Sequence, residues 1–135
     1  MTNGNSHGPE DRSVPRYAAW LHILPFLCII PAVATGGVLA GLPLLAAWVM
    51  WFIKREGSVF VDDHGRESMN FQLSLLIYSL LALIPTLMSC GIGGIVLYPA
   101  LGALALAGAI LGTRAAYQGK VYRYPMTVRF IKPGM

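Results

Sequence analysis

The sequence predicts an all-α membrane protein: four transmembrane helices in two hairpins, with both termini cytosolic. Three observations carry that expectation. Hydrophobic types fill 56% of the 135 residues and charged types only 12%, about half the charged share of an ordinary soluble domain. The mean hydropathy is +0.60. No Lys, Arg, Asp or Glu stands between Arg16 and Lys54, or between Glu67 and Arg114. A soluble globule of this composition would lack the polar surface to stay in water. A disordered chain and a disulfide-stapled secreted module fit no better.

The elements follow in order. Residues 1–16 are polar and are expected to be disordered. A bilayer core about 30 Å thick needs roughly 20 apolar helical residues to cross it. The first uncharged tract is too long for one span and just long enough for two. Thr35-Gly36-Gly37 marks the break, with Gly41 and Pro43 close behind, where glycine suits a turn and proline a helix start. Helix 1 is therefore expected at about 17–34 and helix 2 at about 38–53. The second tract divides at Ser89-Cys90-Gly91-Ile92-Gly93-Gly94, giving helix 3 at about 68–89 and helix 4 at about 95–117. Residues 118–135 form a basic and aromatic tail on the inner leaflet. Helix 2 is short for a full crossing, so a re-entrant helix 1–helix 2 pair is the rival reading. A signal peptide ending at Ala32-Val33-Ala34 is a further one, against which the long polar start with Glu10 and Asp11 speaks.

Orientation follows from the cations. All ten Lys and Arg fall in the N-terminal segment, the middle loop, the last turn of helix 4 or the tail, which four spans place on one side. The expected location is the bacterial cytoplasmic (inner) membrane, multi-pass. The pI near 9.3 then reflects positive charge facing an anionic leaflet. The basic residues form no clustered face, so no nucleic-acid partner is expected. Tyr17, Trp20, Trp48, Trp51, Tyr117, Tyr122 and Tyr124 sit where interfacial aromatics belong.

Between helices in lipid, close packing and hydrogen bonds supply the attraction. Gly102, Ala105, Ala109, Gly112 and Ala116 recur at helical spacing on helix 4, and Gly108 with Gly112 forms a GxxxG pair. Intramolecular packing is the favoured use of that stripe, self-association the alternative. Each helix carries proline, whose freed carbonyls must find Ser, Thr or water. Cys28 and Cys90 lie at different depths, so no disulfide between them is expected.

The most informative stretch runs from Val61 to Gln72. Asp62 or Asp63 is placed to cap helix 3. His64 and Glu67 share one face, as do Arg66 and Asn70. Asn70 and Gln72 enter the apolar depth, where an amide needs a partner. His22 reaches a similar depth from helix 1, so a latch of His22 with Asn70 or Gln72 is expected. Asp62, Asp63, His64 and Glu67 are ligand types without a specific metal-binding spacing. No nucleophile elbow or phosphate loop is present. No cofactor, metal or catalytic residue is therefore expected.

Two runs carry a family resemblance: His64-Gly65-Arg66-Glu67-Ser68-Met69-Asn70-Phe71-Gln72, and Ala115-Ala116-Tyr117-Gln118-Gly119-Lys120-Val121-Tyr122-Arg123-Tyr124-Pro125. Together with Trp20-Leu21-His22 and the stretch from Phe52 to Val61, they resemble a bacterial membrane family. It includes the magnetosome proteins MamF and MmsF and is distantly similar to the twenty-kilodalton subunit of the chloroplast inner-envelope import translocon. The resemblance spans about Tyr17 to Lys132. Ser68 departs mildly from it, standing where a small residue, often Ala, is expected. The resemblance implies roles in organelle assembly and crystal size for some members, and in protein translocation for the plastid relative. No acidic mineral-facing segment resembles theirs here, so the magnetosome role itself is not carried over.

The expected function is a non-catalytic assembly or scaffold factor in the lipid bilayer. Its interaction candidates are His22, His64, Arg66, Glu67, Asn70, Phe71, Gln72, Tyr122, Tyr124 and Pro125, acting with a membrane-protein partner. The competing expectation is a self-associating pore or protein-translocation subunit.

Overall fold

A computed structural model describes residues 12–132. Up to residue 11, the N-terminal segment expected to be disordered lies outside the described residues, as do residues 133–135. Five helical segments follow in order: α1 Ser13–Leu27, α2 Ile29–Ala34, α3 Leu42–Lys54, α4 Val59–Met88 and α5 Ile92–Tyr117. No strand occurs among the described residues. α1 and α2 make one broken span of 22 residues, so three elements are long and apolar enough to cross a bilayer. α3, with 13 residues, covers about 20 Å and is the shorter fourth helix.

Prolines explain where the first span breaks. Pro31 has no N–H for the carbonyl of Leu27, and α1 ends there with Cys28 as its cap. Pro25 likewise frees the carbonyl of Leu21. The Ser68 hydroxyl donates to that carbonyl at 2.6 Å, so the helix is mended from its neighbour. The departure at Ser68 has this physical reason: alanine there would leave a buried carbonyl without a donor.

The largest difference from expectation is the start of α4. It begins at Val59 rather than near 68, so the charged run Asp62-Asp63-His64-Gly65-Arg66-Glu67 is helix, not loop. Its cap is Ser58, whose side chain accepts from the Val61 N–H, and not Asp62 or Asp63. Asp62 instead accepts from Trp51 Nε1 at 2.8 Å and pairs with Arg66 at 2.9 Å one turn on, tying α3 to α4. Gly65 lets the two helices meet there, since a Cβ would collide with the Trp51 ring.

α1 packs on α3, α4 and α5, while α3 and α5 each pack along α4. Leu21, Ala47, Trp51, Val61 and Met69 form one core; Ala18, Ala19 and Ala116 form another. Ala105, Gly108, Ala109, Gly112 and Ala116 are all buried, so the stripe is spent inside the chain. Gly102 is not part of it: it is exposed, with open space where a Cβ would stand. The outer faces are apolar instead, with Leu80, Leu81, Ile84 and Leu87 on α4 and Ile92, Ile95, Val96 and Ile110 on α5 exposed. Polar side chains inside and apolar ones outside is the arrangement a lipid solvent selects.

Candidate functional site

Buried polar residues gather near the charged end of the bundle: His22, His64, Glu67, Ser68, Asn70, Gln72 and Ser74. Three bonds order the histidines. His22 Nδ1 lies 2.5 Å from the Tyr124 hydroxyl. His22 Nε2 lies 2.8 Å from His64 Nδ1, and His64 Nε2 lies 3.1 Å from the carbonyl of Lys120. The carbonyl can only accept, so His64 Nε2 carries the proton. With both rings neutral, His64 Nδ1 then accepts from His22 Nε2, and His22 Nδ1 accepts from Tyr124. One backbone oxygen thereby fixes the direction of the whole chain. Burial pushes the Tyr124 phenol well above its ordinary range, reinforced by Tyr122 and Glu67, which keeps it a donor.

The latch therefore exists with different partners. His22 meets His64 and Tyr124, not Asn70 or Gln72. The reason is geometric: with α4 extended to Val59, His64 lies on the helix at the depth of His22 instead of in a loop above it.

Asn70 holds the tail. Its Oδ1 accepts from the N–H groups of Phe130 and Ile131 at 3.0 and 2.8 Å, and its Nδ2 donates to the Ile131 carbonyl at 3.0 Å. The same face of α4 continues this grip. Glu67 accepts from the Tyr124 N–H at 2.9 Å, Ser74 from the Val128 N–H at 3.0 Å, and the Tyr78 hydroxyl donates to the Met126 carbonyl at 2.6 Å. His64, Glu67, Asn70, Ser74 and Tyr78 recur every third or fourth position, one stripe of the helix. Along it the tail descends to a turn at Pro125–Met126 and then returns. Met126 takes the left-handed conformation, φ 57°, at that apex. The tail is thus a strap folded back on α4 rather than a segment lying free on the surface.

Glu67 closes the strap. It is 2% exposed and pairs with Arg123 at 3.4 Å on one limb and Arg129 at 3.3 Å on the other. Arg123 also pairs with Asp63 at 2.8 Å, a bond that raises its pKa further. Behind the strap, Tyr124 stacks on Phe71 with centroids 3.9 Å apart, and Tyr122 packs edge-on against Tyr124. A Cβ on Gly108 would stand 2.6 Å from Tyr124 and 2.8 Å from Phe71; one on Gly112 would stand 2.8 Å from the His22 ring. The GxxxG pair is the seat of the latch.

Of the sequence candidates, His22, His64, Glu67, Asn70, Phe71, Tyr122 and Tyr124 come together. Arg66 faces Asp62 rather than Asn70. Gln72 is buried outside the histidine chain, and Pro125 is exposed at the apex of the strap. Ser74, Tyr78, Arg123 and Arg129 were missed, although polar residues recurring at helical spacing through an apolar run are a readable signal for the first two. Among the described residues, no three His, Cys, Asp or Glu side chains group so as to hold a metal ion.

Fold and site together define a small all-helical membrane protein whose polar residues turn inward to fix its own C-terminal strap. The chain belongs to the MamF/MmsF family: the model of the magnetosome magnetite crystal formation protein family matches residues 14–131. That match ends at the residue whose backbone Asn70 holds. No curated protein and no solved structure matches the chain.

Proposed function

We propose that this protein is a non-catalytic scaffold of a bacterial cytoplasmic membrane that assembles or organises other membrane proteins, with both ends and the α3–α4 loop in the cytosol. One observation carries the reading: the side chains suited to chemistry are spent on holding the chain to itself. His22, His64, Glu67 and Asn70 are buried and bonded to neighbouring helices or to the strap. The strap fixes a surface at the charged end, where Glu56 and Val121 are exposed, and that surface is the one offered to a partner. All ten cations lie in segments that this topology places on the cytosolic side. The family's link to magnetite formation enters as membrane organisation rather than mineral contact. Asp62, Asp63 and Glu67 are already paired with Arg66, Arg123 and Arg129.

Photo-crosslinkers placed at Glu56 and Val121 in cells test the proposal. A discrete membrane-protein partner captured from both positions supports it. Recovery of this chain alone overturns it in favour of the self-associating alternative. Orientation is read separately, with cysteines at Glu56 and Val38 in a chain lacking Cys28 and Cys90. Labelling of position 56 by an impermeant reagent outside intact cells would invert the topology.

A further inference from the structure

A cavity of about 120 Å³ opens between α4 and the strap, lined by Asp63, Arg66, Glu67, Arg123, Arg129 and Ile131. At ~30 Å³ per water it has room for about four waters, the scale of a small polar group. Its position is that of a lipid headgroup, because Glu67 is the last charge on α4 before the apolar run. Three features define what would fill it. First, donors are in surplus. Each guanidinium offers five N–H groups, while Arg123 spends two on Glu67 and Asp63 and Arg129 one on Glu67. Both side chains are about half exposed, 46% and 49%. Second, one acceptor is unused: Asp63 Oδ2 is buried with no hydrogen-bond partner. Third, the charges balance, with Arg66, Arg123 and Arg129 set against Asp62, Asp63 and Glu67. A purely anionic ligand would meet two carboxylates in the wall, and a cation three guanidiniums. A ligand carrying both signs meets each with its opposite.

We infer that this cavity binds the zwitterionic headgroup of phosphatidylethanolamine, with the phosphate on Arg123 and Arg129 and the ammonium on Asp63. The primary ammonium matters because it donates an N–H bond to the unpartnered carboxylate oxygen of Asp63. A choline headgroup has the same charges and no such donor. The site is independent of any protein partner.

The test uses the full chain in non-ionic detergent. It is incubated with an equimolar mixture of phosphatidylethanolamine, phosphatidylcholine and phosphatidylglycerol of identical acyl chains, and retained lipid is read by native mass spectrometry. Phosphatidylethanolamine is expected to be retained about tenfold over phosphatidylcholine, the effect of one charge-assisted hydrogen bond. Soluble phosphoethanolamine should displace it, and inorganic phosphate should not. Asp63→Asn should abolish the preference while leaving total lipid retention similar. Equal retention of the ethanolamine and choline lipids by the unaltered protein would overturn the inference without recourse to any variant. So would preference for phosphatidylglycerol, or displacement by inorganic phosphate, which would mark a site for phosphate alone.

Discussion

His22 and His64 meet nitrogen to nitrogen at 2.8 Å, from residues 42 positions apart in the chain. Neither ring has a free choice of tautomer. The Lys120 carbonyl at the far end of the chain of bonds makes each a donor through Nε2. Nitrogen-15 spectra of the protein near neutral pH should show both imidazoles in the Nε2-protonated tautomer. An Nδ1-protonated His22 would contradict the ordering. His22→Phe leaves the Tyr124 hydroxyl and His64 Nδ1 each without its buried partner. The expected loss is about 2–4 kcal/mol, read as denaturant stability in detergent.

The second prediction separates glycines that touch the latch from one that does not. Gly112→Ala drives a methyl into the His22 ring and Gly108→Ala drives one into Tyr124 and Phe71. Each should cost about 1–3 kcal/mol. Gly102→Ala meets open space and should be neutral or stabilising by about 0.5–1 kcal/mol, since alanine is the better helix former. Melting temperatures of the three variants check the order. A Gly102 variant as damaged as the other two would mean that the stripe packs elsewhere.

Glu67 is the clasp of the strap, so Glu67→Gln should loosen both limbs while keeping an acceptor for the Tyr124 N–H. We expect a loss of roughly 1–3 kcal/mol. Trypsin should cleave faster at Arg123 and Arg129, with the cuts in the rest of the chain unchanged. Unaltered cleavage at both arginines would show that the backbone bonds to Asn70, Ser74 and Tyr78 suffice.

Alkali offers a fourth test. Burial raises the Tyr124 pKa above its ordinary value of 10.0, so the folded state holds this proton more tightly than the unfolded chain does. The stability it contributes is complete below pH 10 and is lost as pH climbs from there toward the raised value. Tyr124→Phe should be less stable near neutrality, for want of the bond to His22. It should also lose less on moving past pH 10. Parallel melting curves against pH for the two proteins would show this convergence.

Much of the fold was legible because a bilayer leaves few options. Two uncharged tracts, each split by glycine, gave the hairpins, and the inward use of the small-residue stripe followed from packing in lipid. The start of α4 was not legible. Charges, adjacent acids and Gly65 read as a loop. Two partners outside the local sequence make them helical: Trp51, which occupies the space above Gly65, and Arg123, which neutralises Asp63. Once that boundary is misplaced, His64 is left out of reach of His22, and Asn70 stands in its stead. The strap was hidden for another reason. It is held largely through its main chain, and no side-chain pattern announces where a backbone will lie.

That manner of holding has an evolutionary consequence. Asn70, Ser74 and Tyr78 grasp peptide groups at Met126, Val128, Phe130 and Ile131, and every residue type except proline, which lacks the N–H, carries those groups. The exposed side chains of Met126, Val128 and Phe130 are left free to drift, or to be tailored to a new neighbour, without unfastening the strap. The constraint falls instead on the helix beneath. Within this family the lock should change slowly while the surface it displays diversifies.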